Sequence, residues 1–302
     1  MNAEREIAEA FPSLLLRRDV MYSRRTTVGI GGRAALAAFP QSAEELCEVV
    51  LYLQKRSLKF AVIGAGANIL VADSGFGGVS VFTDRVDFIR AEGDRILCGS
   101  GCRAGRLIKV ARESGVGGFS FLEGIPASVG GAVYMNAGAG GMYIGERVRC
   151  VTAAEEGVLK HFKREECGFS YKNSRFQHTN AVILSLELQG EYCSGEEIVR
   201  ECTAVRERRA ALPKGRSMGC IFKNPPGRSA GELIEICGLK GKRCGGAVVS
   251  SVHANFIINE SDASAEDFRR LISLIKREVL YKTGVLLEEE IRYIGDFYAS
   301  YG

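Results

Sequence analysis

The stretch Gly124-Ile-Pro-Ala-Ser-Val-Gly-Gly-Ala-Val-Tyr-Met-Asn-Ala-Gly-Ala-Gly140 constrains this chain more than any other, together with Gly64-Ala-Gly-Ala-Asn68 upstream of it. Glycine at this density removes side chains where backbone must approach something closely, and it lets successive N–H groups converge on anionic oxygens. Two such stretches in one chain point to one long, phosphate-bearing ligand. The first follows Phe60-Ala-Val-Ile63, which reads as a short buried strand. Ile69 stands where a Rossmann fingerprint needs its third glycine, and Ile69–Ala72 and Gly78–Phe82 continue as strand instead of helix. A pyrophosphate held there is therefore held by backbone N–H groups, without a helix dipole.

Composition removes several classes of function. A chain of 302 residues, 46% apolar and 25% charged, is an ordinary globular protein large enough for two or three domains. The net charge of +4 is mild, and Arg17-Arg18, Arg24-Arg25 and Arg206–Arg209 are scattered with no basic stripe, so no nucleic acid is expected. The 10 cysteines include no Cys-x-x-Cys pair, and the three histidines have no zinc spacing, so reduced thiols and no metal are expected. Glu4, Glu6 and Glu9 precede the first short apolar patch, the wrong charge order for a secretory signal. No apolar run reaches the about 18 residues of a membrane span. These features predict a cytoplasmic protein that does not engage the membrane.

Periodicity predicts a mixed helix and strand chain. Ser42-Ala-Glu-Glu45 is a capping box, and Leu46, Val49, Val50 and Leu53 follow at helical spacing, predicting a helix over 42–57. A second helix is expected over 104–114, a third from Ser194 to about Pro213 with Ile198, Val199, Cys202 and Val205 inward, and a short one after Ser229. Ser264-Ala-Glu-Asp267 opens a strong helix that Gly284 would stop. Strands are expected at 88–91, 95–98, 148–154, 157–162, 181–188, 245–252, 255–258 and 285–294. The glycine segment itself reads as loop.

Several polar clusters lie outside the glycine stretches. Gly219-Cys-Ile-Phe-Lys-Asn-Pro225 puts a thiol, an ammonium and an amide beside a proline, whereas a lone cysteine is more often simply buried. Tyr171-Lys-Asn-Ser-Arg-Phe176 reads in isolation as a polar loop, and Glu288-Glu-Glu-Ile-Arg292 as a solvent-facing acidic run. In His253-Ala-Asn-Phe-Ile-Ile-Asn259 a satisfied structural histidine is the ordinary reading.

Taken in order, Thr26-Thr-Val-Gly-Ile-Gly-Gly32, Gly64-Ala-Gly-Ala-Asn-Ile-Leu-Val71, Gly124–Gly138, Tyr171-Lys-Asn-Ser174, Gly219–Pro225, His253–Asn259 and Leu287–Gly295 resemble the UDP-N-acetylenolpyruvoylglucosamine reductase (UDP-N-acetylmuramate dehydrogenase) family over residues 20–295. The short span between Ser174 and Leu212 resembles its compact subtype, which lacks an extra substrate-closing loop. The resemblance implies an α+β architecture: a two-lobed FAD-binding fold of the vanillyl-alcohol-oxidase/PCMH-like kind plus a C-terminal α+β substrate-binding domain. The expected parts are residues 1–84 and 85–200 for the flavin lobes, with a strand from 286–302 returning to the second, and 201–285 for substrate. It also implies non-covalent FAD, NADPH as reductant, and reduction of an enolpyruvyl ether to a lactyl ether in peptidoglycan precursor synthesis. No protein partner is implied. Nicotinamide and substrate both need the same flavin edge, so a ping-pong scheme is expected.

By this resemblance Gly64, Gly66, Ala67, Asn68 and Ile69 line the pyrophosphate, and Ile125, Ser128, Gly130, Gly131 and Val133 line the rest of the flavin. Cys220 occupies the proton donor's position, and Lys172 and Glu290 the positions that stabilise charge beside the substrate carboxylate; Lys223 and Asn224 are the expected diphosphate partners. Three residues depart from the family pattern: cysteine for serine at Cys220, lysine for arginine at Lys172 and alanine for serine at Ala67. A thiol, with a reference pKa of about 8.5, is a stronger acid than a hydroxyl. Lysine keeps the charge but loses the planar fork of arginine, which the nearby Arg175 is placed to supply. Two rivals remain at this level: another FAD-dependent oxidase or dehydrogenase of the same fold, and a non-catalytic nucleotide-sugar-binding relative.

Overall fold

The computed structural model describes residues 3–297. Local capping chemistry sets most helices. Helix α1 is Ala3–Ala10, and α2 is Ala43–Lys55, where the Ser42 hydroxyl accepts from the Glu45 N–H and Leu46, Val49, Val50 and Leu53 are buried. Then come α3 (Ala104–Glu113), α4 (Val129–Tyr134), α5 (Gly195–Ala210) and α6 (Ala230–Ile236). The last, α7 (Ala265–Thr283), has a complete Ser264/Asp267 capping box and ends on left-handed Gly284. Two details differ from expectation. Val199 in α5 is exposed, since only Ile198, Cys202 and Val205 face inward. The glycine segment contains a helix, α4, because Ser128 caps it through the Gly131 N–H. Its two glycines masked that helix from propensity.

The chain forms two compact units; three of the five boundaries fall inside the strands Leu15–Met21, Arg33–Phe39 and Phe76–Phe82, one in the first glycine loop and one at the end of α5. The first unit comprises the chain up to Arg18, Leu36–Ala65 and Gly78–Ala210. At its heart is a five-stranded antiparallel sheet in the spatial order Val158–Lys163, Val148–Glu155, Val182–Gln189, Arg95–Gly99, Ile89–Glu92. Along Val182–Gln189 the register skips Leu184, with Ser185 opposite Thr152 and Ile183 opposite Ala153. The extra residue reverses which face each later side chain takes. Val182 and Leu184 accordingly enter the core under α2, while Leu186 and Leu188 enter the opposite core with α3, α4 and α5. The Leu184 carbonyl accepts from Ser100 N–H, which sets the turn after Arg95–Gly99 that faces α4.

The second unit comprises Asp19–Ala35, Gly66–Gly77 and the chain from Ala211 onward. Its core gathers α6, α7 and the short antiparallel strands Arg243–Cys244, Ala247–Val249 and Ile257–Asn259. The C-terminal strand Arg292–Ile294 runs parallel to Ile69–Val71, directly after the first glycine loop. This differs from the three contiguous parts drawn above. The tail strand was expected on the 85–200 lobe but pairs within the second unit, and residues 1–84 divide between both units. Sequence boundaries cannot register a parallel pairing between segments more than 200 residues apart.

All ten cysteines are free. Among the described residues, no helix is long and apolar enough to cross a membrane.

Candidate active site

The first glycine loop is held open by packing and leaves its donors unspent. Gly66 has φ +67°, and a Cβ there would lie 2.0 Å from the Arg25 carbonyl oxygen. Its own carbonyl accepts from Thr27 N–H at 3.1 Å. Thr27 Oγ1 donates to Ser217 O at 2.7 Å, so the Thr26–Gly32 motif is the bracket on which the loop is mounted. Among the described residues, no acceptor meets the backbone N–H groups from Gly64 to Asn68, although Gly66 is buried. Buried donors of this kind are ordinarily paired, so the loop fits an anionic ligand such as a pyrophosphate. Ala67 offers no hydroxyl, and the backbone groups are what remains.

The second glycine segment behaves differently from its expected role. Val129 N–H donates to Cys102 O, Gly130 N–H to Ser100 O, and Gly131 N–H to the Ser128 hydroxyl. The first turn of α4 therefore has no N–H group to spare. Glycine serves contact here: a Cβ at Gly130 would lie 2.6 Å from that of Ser100, and one at Gly64 would lie 2.2 Å from Ser128 Oγ. Val133 is fully buried in the first unit's core, as Ser128 and Gly130 nearly are. Ile125 is partly buried against the same core. One feature had no sequence signal: Ser100 Oγ is buried without a hydrogen-bond partner among the described residues, on the residue whose own carbonyl accepts from Gly130 N–H. An orphaned hydroxyl packed against Gly130 is a second observation that fits a polar ligand.

Lys172 sits in the left-handed region at φ +53°, a conformation that costs a side-chain-bearing residue about 1 kcal/mol or more and gathers at functional sites. Its loop is moored to the end of α4. Ser174 Oγ and Gln177 Nε2 both donate to Tyr134 O, and Gln177 also donates to Lys172 O. Arg175 does not supply the missing fork. Its guanidinium stacks 4.1 Å from the Phe162 ring centroid and donates through Nη2 to the buried Glu155 carboxylate at 3.1 Å. Burial alone would raise the Glu155 pKa, but the hydrogen bond from Lys160 and the Arg175 charge outweigh it and hold the carboxyl below its usual range. The two Nη groups of Arg175 are used to anchor the loop, while its Nε is buried without a hydrogen-bond partner among the described residues.

In the second unit, Cys220 and Glu290 lie on neighbouring extended segments. Glu290 N–H donates to Ile221 O at 2.8 Å, Lys223 N–H donates to Glu288 O at 2.8 Å, and Phe222 faces Glu289 between them. On the other flank Cys220 bridges Phe256. Asn68 Nδ2 donates to Glu290 O at 3.0 Å, which ties the carboxylate's backbone to the first glycine loop. Lys223 pairs with Glu288, and Asn224 Oδ1 accepts from Ala230 N–H at the start of α6, so both expected diphosphate partners also have partners in the chain.

The sequence reading passed over the two asparagines that fix these loops. Asn255, 2% exposed, accepts from Phe222 N–H and donates to Phe222 O; Asn259 donates to Val28 O behind the Thr26–Gly32 bracket. Their spacing in His253–Asn259 was the available signal. His253 is the satisfied structural residue expected: burial lowers its pKa, and Nδ1 accepts from Asn255 N–H. Replacing Asn255 by leucine strands both polar groups of Phe222 in the core. A loss of about 2–4 kcal/mol in unfolding free energy is expected, measurable by urea denaturation.

These features define a class first: residues 34–156 match the FAD-binding domain family, of the PCMH-like fold, and residues 211–294 match the UDP-N-acetylenolpyruvoylglucosamine reductase C-terminal domain. The reductase of Caldicellulosiruptor saccharolyticus is 38% identical over 90% of this chain and 89% of its own length; that of Pelobacter propionicus is 38% identical over 93% and 96%. The crystal structure of the Thermus caldophilus reductase superposes with a TM-score of 0.81 at 33% identity, covering 93% of this chain and 99% of that one. The chain belongs to the UDP-N-acetylenolpyruvoylglucosamine reductase family.

Proposed function

We propose that this protein reduces UDP-N-acetylenolpyruvoylglucosamine to UDP-N-acetylmuramate, with non-covalent FAD and NADPH, in peptidoglycan precursor synthesis. The single observation that carries the reading is family membership over nearly the whole chain, with the unspent N–H groups of Gly64–Asn68 as its structural counterpart. When bound, FAD carries the hydride from NADPH to the terminal carbon of the enolpyruvyl group.

The residues present have separable tasks. Gly64, Gly66, Ala67, Asn68 and Ile69 hold the pyrophosphate, and Ile125, Ser128, Gly130, Gly131 and Val133 back the flavin, with Ser100 adding a buried hydroxyl. Adding hydride to the terminal carbon leaves negative charge at the carbon next to the carboxylate. Lys172 stabilises that charge with its ammonium, Glu290 does so as a neutral carboxyl that donates a hydrogen bond to the enolate oxygen, and Cys220 delivers the proton to carbon through its Sγ–H. Lys223 and Asn224 bind the diphosphate, with Lys223 exchanging its contact to Glu288 for phosphate oxygens. NADPH and the sugar nucleotide take turns at the same place.

The test is direct. Purified protein supplemented with FAD should consume NADPH rapidly only when UDP-N-acetylenolpyruvoylglucosamine is present, with one lactyl ether formed per NADPH. Consumption that ignores the sugar nucleotide would favour an oxidase of the same fold, and no consumption would favour a non-catalytic binder.

A further inference from the structure

We infer that Glu289 is a positioning residue for Glu290: its carboxylate, clamped between Lys276 and Tyr293, fixes the register in which residues 288–290 lie against the Cys220 loop. This rests on the roles proposed above for Glu290 and Cys220. The pairing of the two segments is a single isolated bridge, Phe222 opposite Glu289, flanked by two backbone hydrogen bonds. Between these two segments, among the described residues, no longer ladder enforces it; the next ladder, of Arg292–Ile294 with Ile69–Val71, begins only after Glu290. A slip of one residue would turn Glu290 to the opposite face, since side chains alternate along extended backbone.

Side chains supply what the short ladder lacks. Lys276 Nζ, on α7, donates to Glu289 Oε1 at 2.7 Å, and Tyr293 Oη donates to Glu289 Oε2 at 2.6 Å. Both bonds are charge-assisted, and the Glu289 side chain is only 20% exposed. Burial first, and the bond to Glu289 second, push the Tyr293 phenol up, so it stays a donor. The two anchors belong to different elements. Lys276 rides on the longest helix of the second unit, while Tyr293 lies in the strand paired with Ile69–Val71, whose preceding residue Asn68 holds the Glu290 carbonyl. Three consecutive glutamates thus have three tasks: Glu288 pairs with Lys223 at the surface, Glu289 clamps, and Glu290 is presented.

The experiment uses the full chain loaded with FAD and compares E289A, E289Q, Y293F and E290Q with the parent. FAD affinity, flavin reduction by NADPH, and flavin reoxidation by UDP-N-acetylenolpyruvoylglucosamine are measured separately. For E289A, FAD affinity and flavin reduction should hold while reoxidation slows at least about tenfold, the scale expected when a reacting group is misplaced by a fraction of an ångström to an ångström. E289Q should recover most of that rate, because its amide oxygen still accepts from Lys276 and its amide nitrogen can donate to Tyr293. Y293F, the milder change, should fall between them. Reoxidation of E289A at the parent rate, or equal slowing of both half-reactions, overturns the inference. E290Q keeps the two readings apart. If it reoxidises like the parent, the role of Glu290 itself fails; if it is slow while E289A is not, only the positioning role fails.

Discussion

In a Cys220→Ala protein, NADPH should reduce the flavin at nearly the parent rate, while reoxidation by the enolpyruvyl substrate slows by about 10²–10⁴-fold, the usual weight of one general acid. The split follows from the chemistry. Reduction of the flavin by NADPH needs no proton delivered to carbon, but completing the lactyl ether does. Residues 220–223 are held on both sides, by Phe256 and Asn255 on one flank and Glu288–Glu290 on the other, so removing one sulfur atom should not disturb their path. Serine at 220 should recover part of the rate despite its weaker acidity. Equal second half-reaction rates in the alanine variant and the parent would eliminate Cys220 as the donor, and rapid-mixing absorbance of the flavin reads both steps.

Gly66→Ala should cost about 2–4 kcal/mol of stability and abolish retention of the yellow cofactor on gel filtration. Two penalties combine: a left-handed backbone costs an alanine about 1 kcal/mol or more, and overpacking costs about 1–3 kcal/mol. The second cannot be relieved by a rotamer change, because the obstructing atom is the backbone oxygen of Arg25, 2.0 Å from the new Cβ. Any shift that relieves the clash moves the loop away from Thr27 and spreads the N–H groups of Gly64–Asn68. Retention of FAD by a folded Gly66→Ala protein would show that this loop does not hold the pyrophosphate.

Much of the fold was legible because its signals are local. Ser42, Ser229 and Ser264 each sit three residues before the N–H they cap, and the apolar stripes of α2 and α7 follow at helical spacing. The features that escaped are those decided by distant partners. The Leu184 bulge exists only against Thr152 and Ala153, Val199 faces outward because α5 has a narrower buried stripe than its apolar residues suggested, and Arg292–Ile294 finds Ile69–Val71 across most of the chain. At the site, the residue types of Cys220, Lys172 and Glu290 could be read from motif order. The commitment of Arg175 to Glu155 and Phe162 could not, because which side chains of the two preceding strands face it depends on how the sheet folds back on the loop.

The order of residues already carries the family, the positions of the capped helices, and two stretches where backbone must come close to something. What each stretch does with that closeness is settled by its neighbours in the folded chain. Gly64–Asn68 keeps its N–H groups for a ligand, whereas Val129–Gly131 gives its own to Cys102, Ser100 and Ser128. Glycine density reports that a side chain would not fit. Whether the adjoining donor is free depends on which carbonyl the fold brings beside it, and that is a property of the assembled chain.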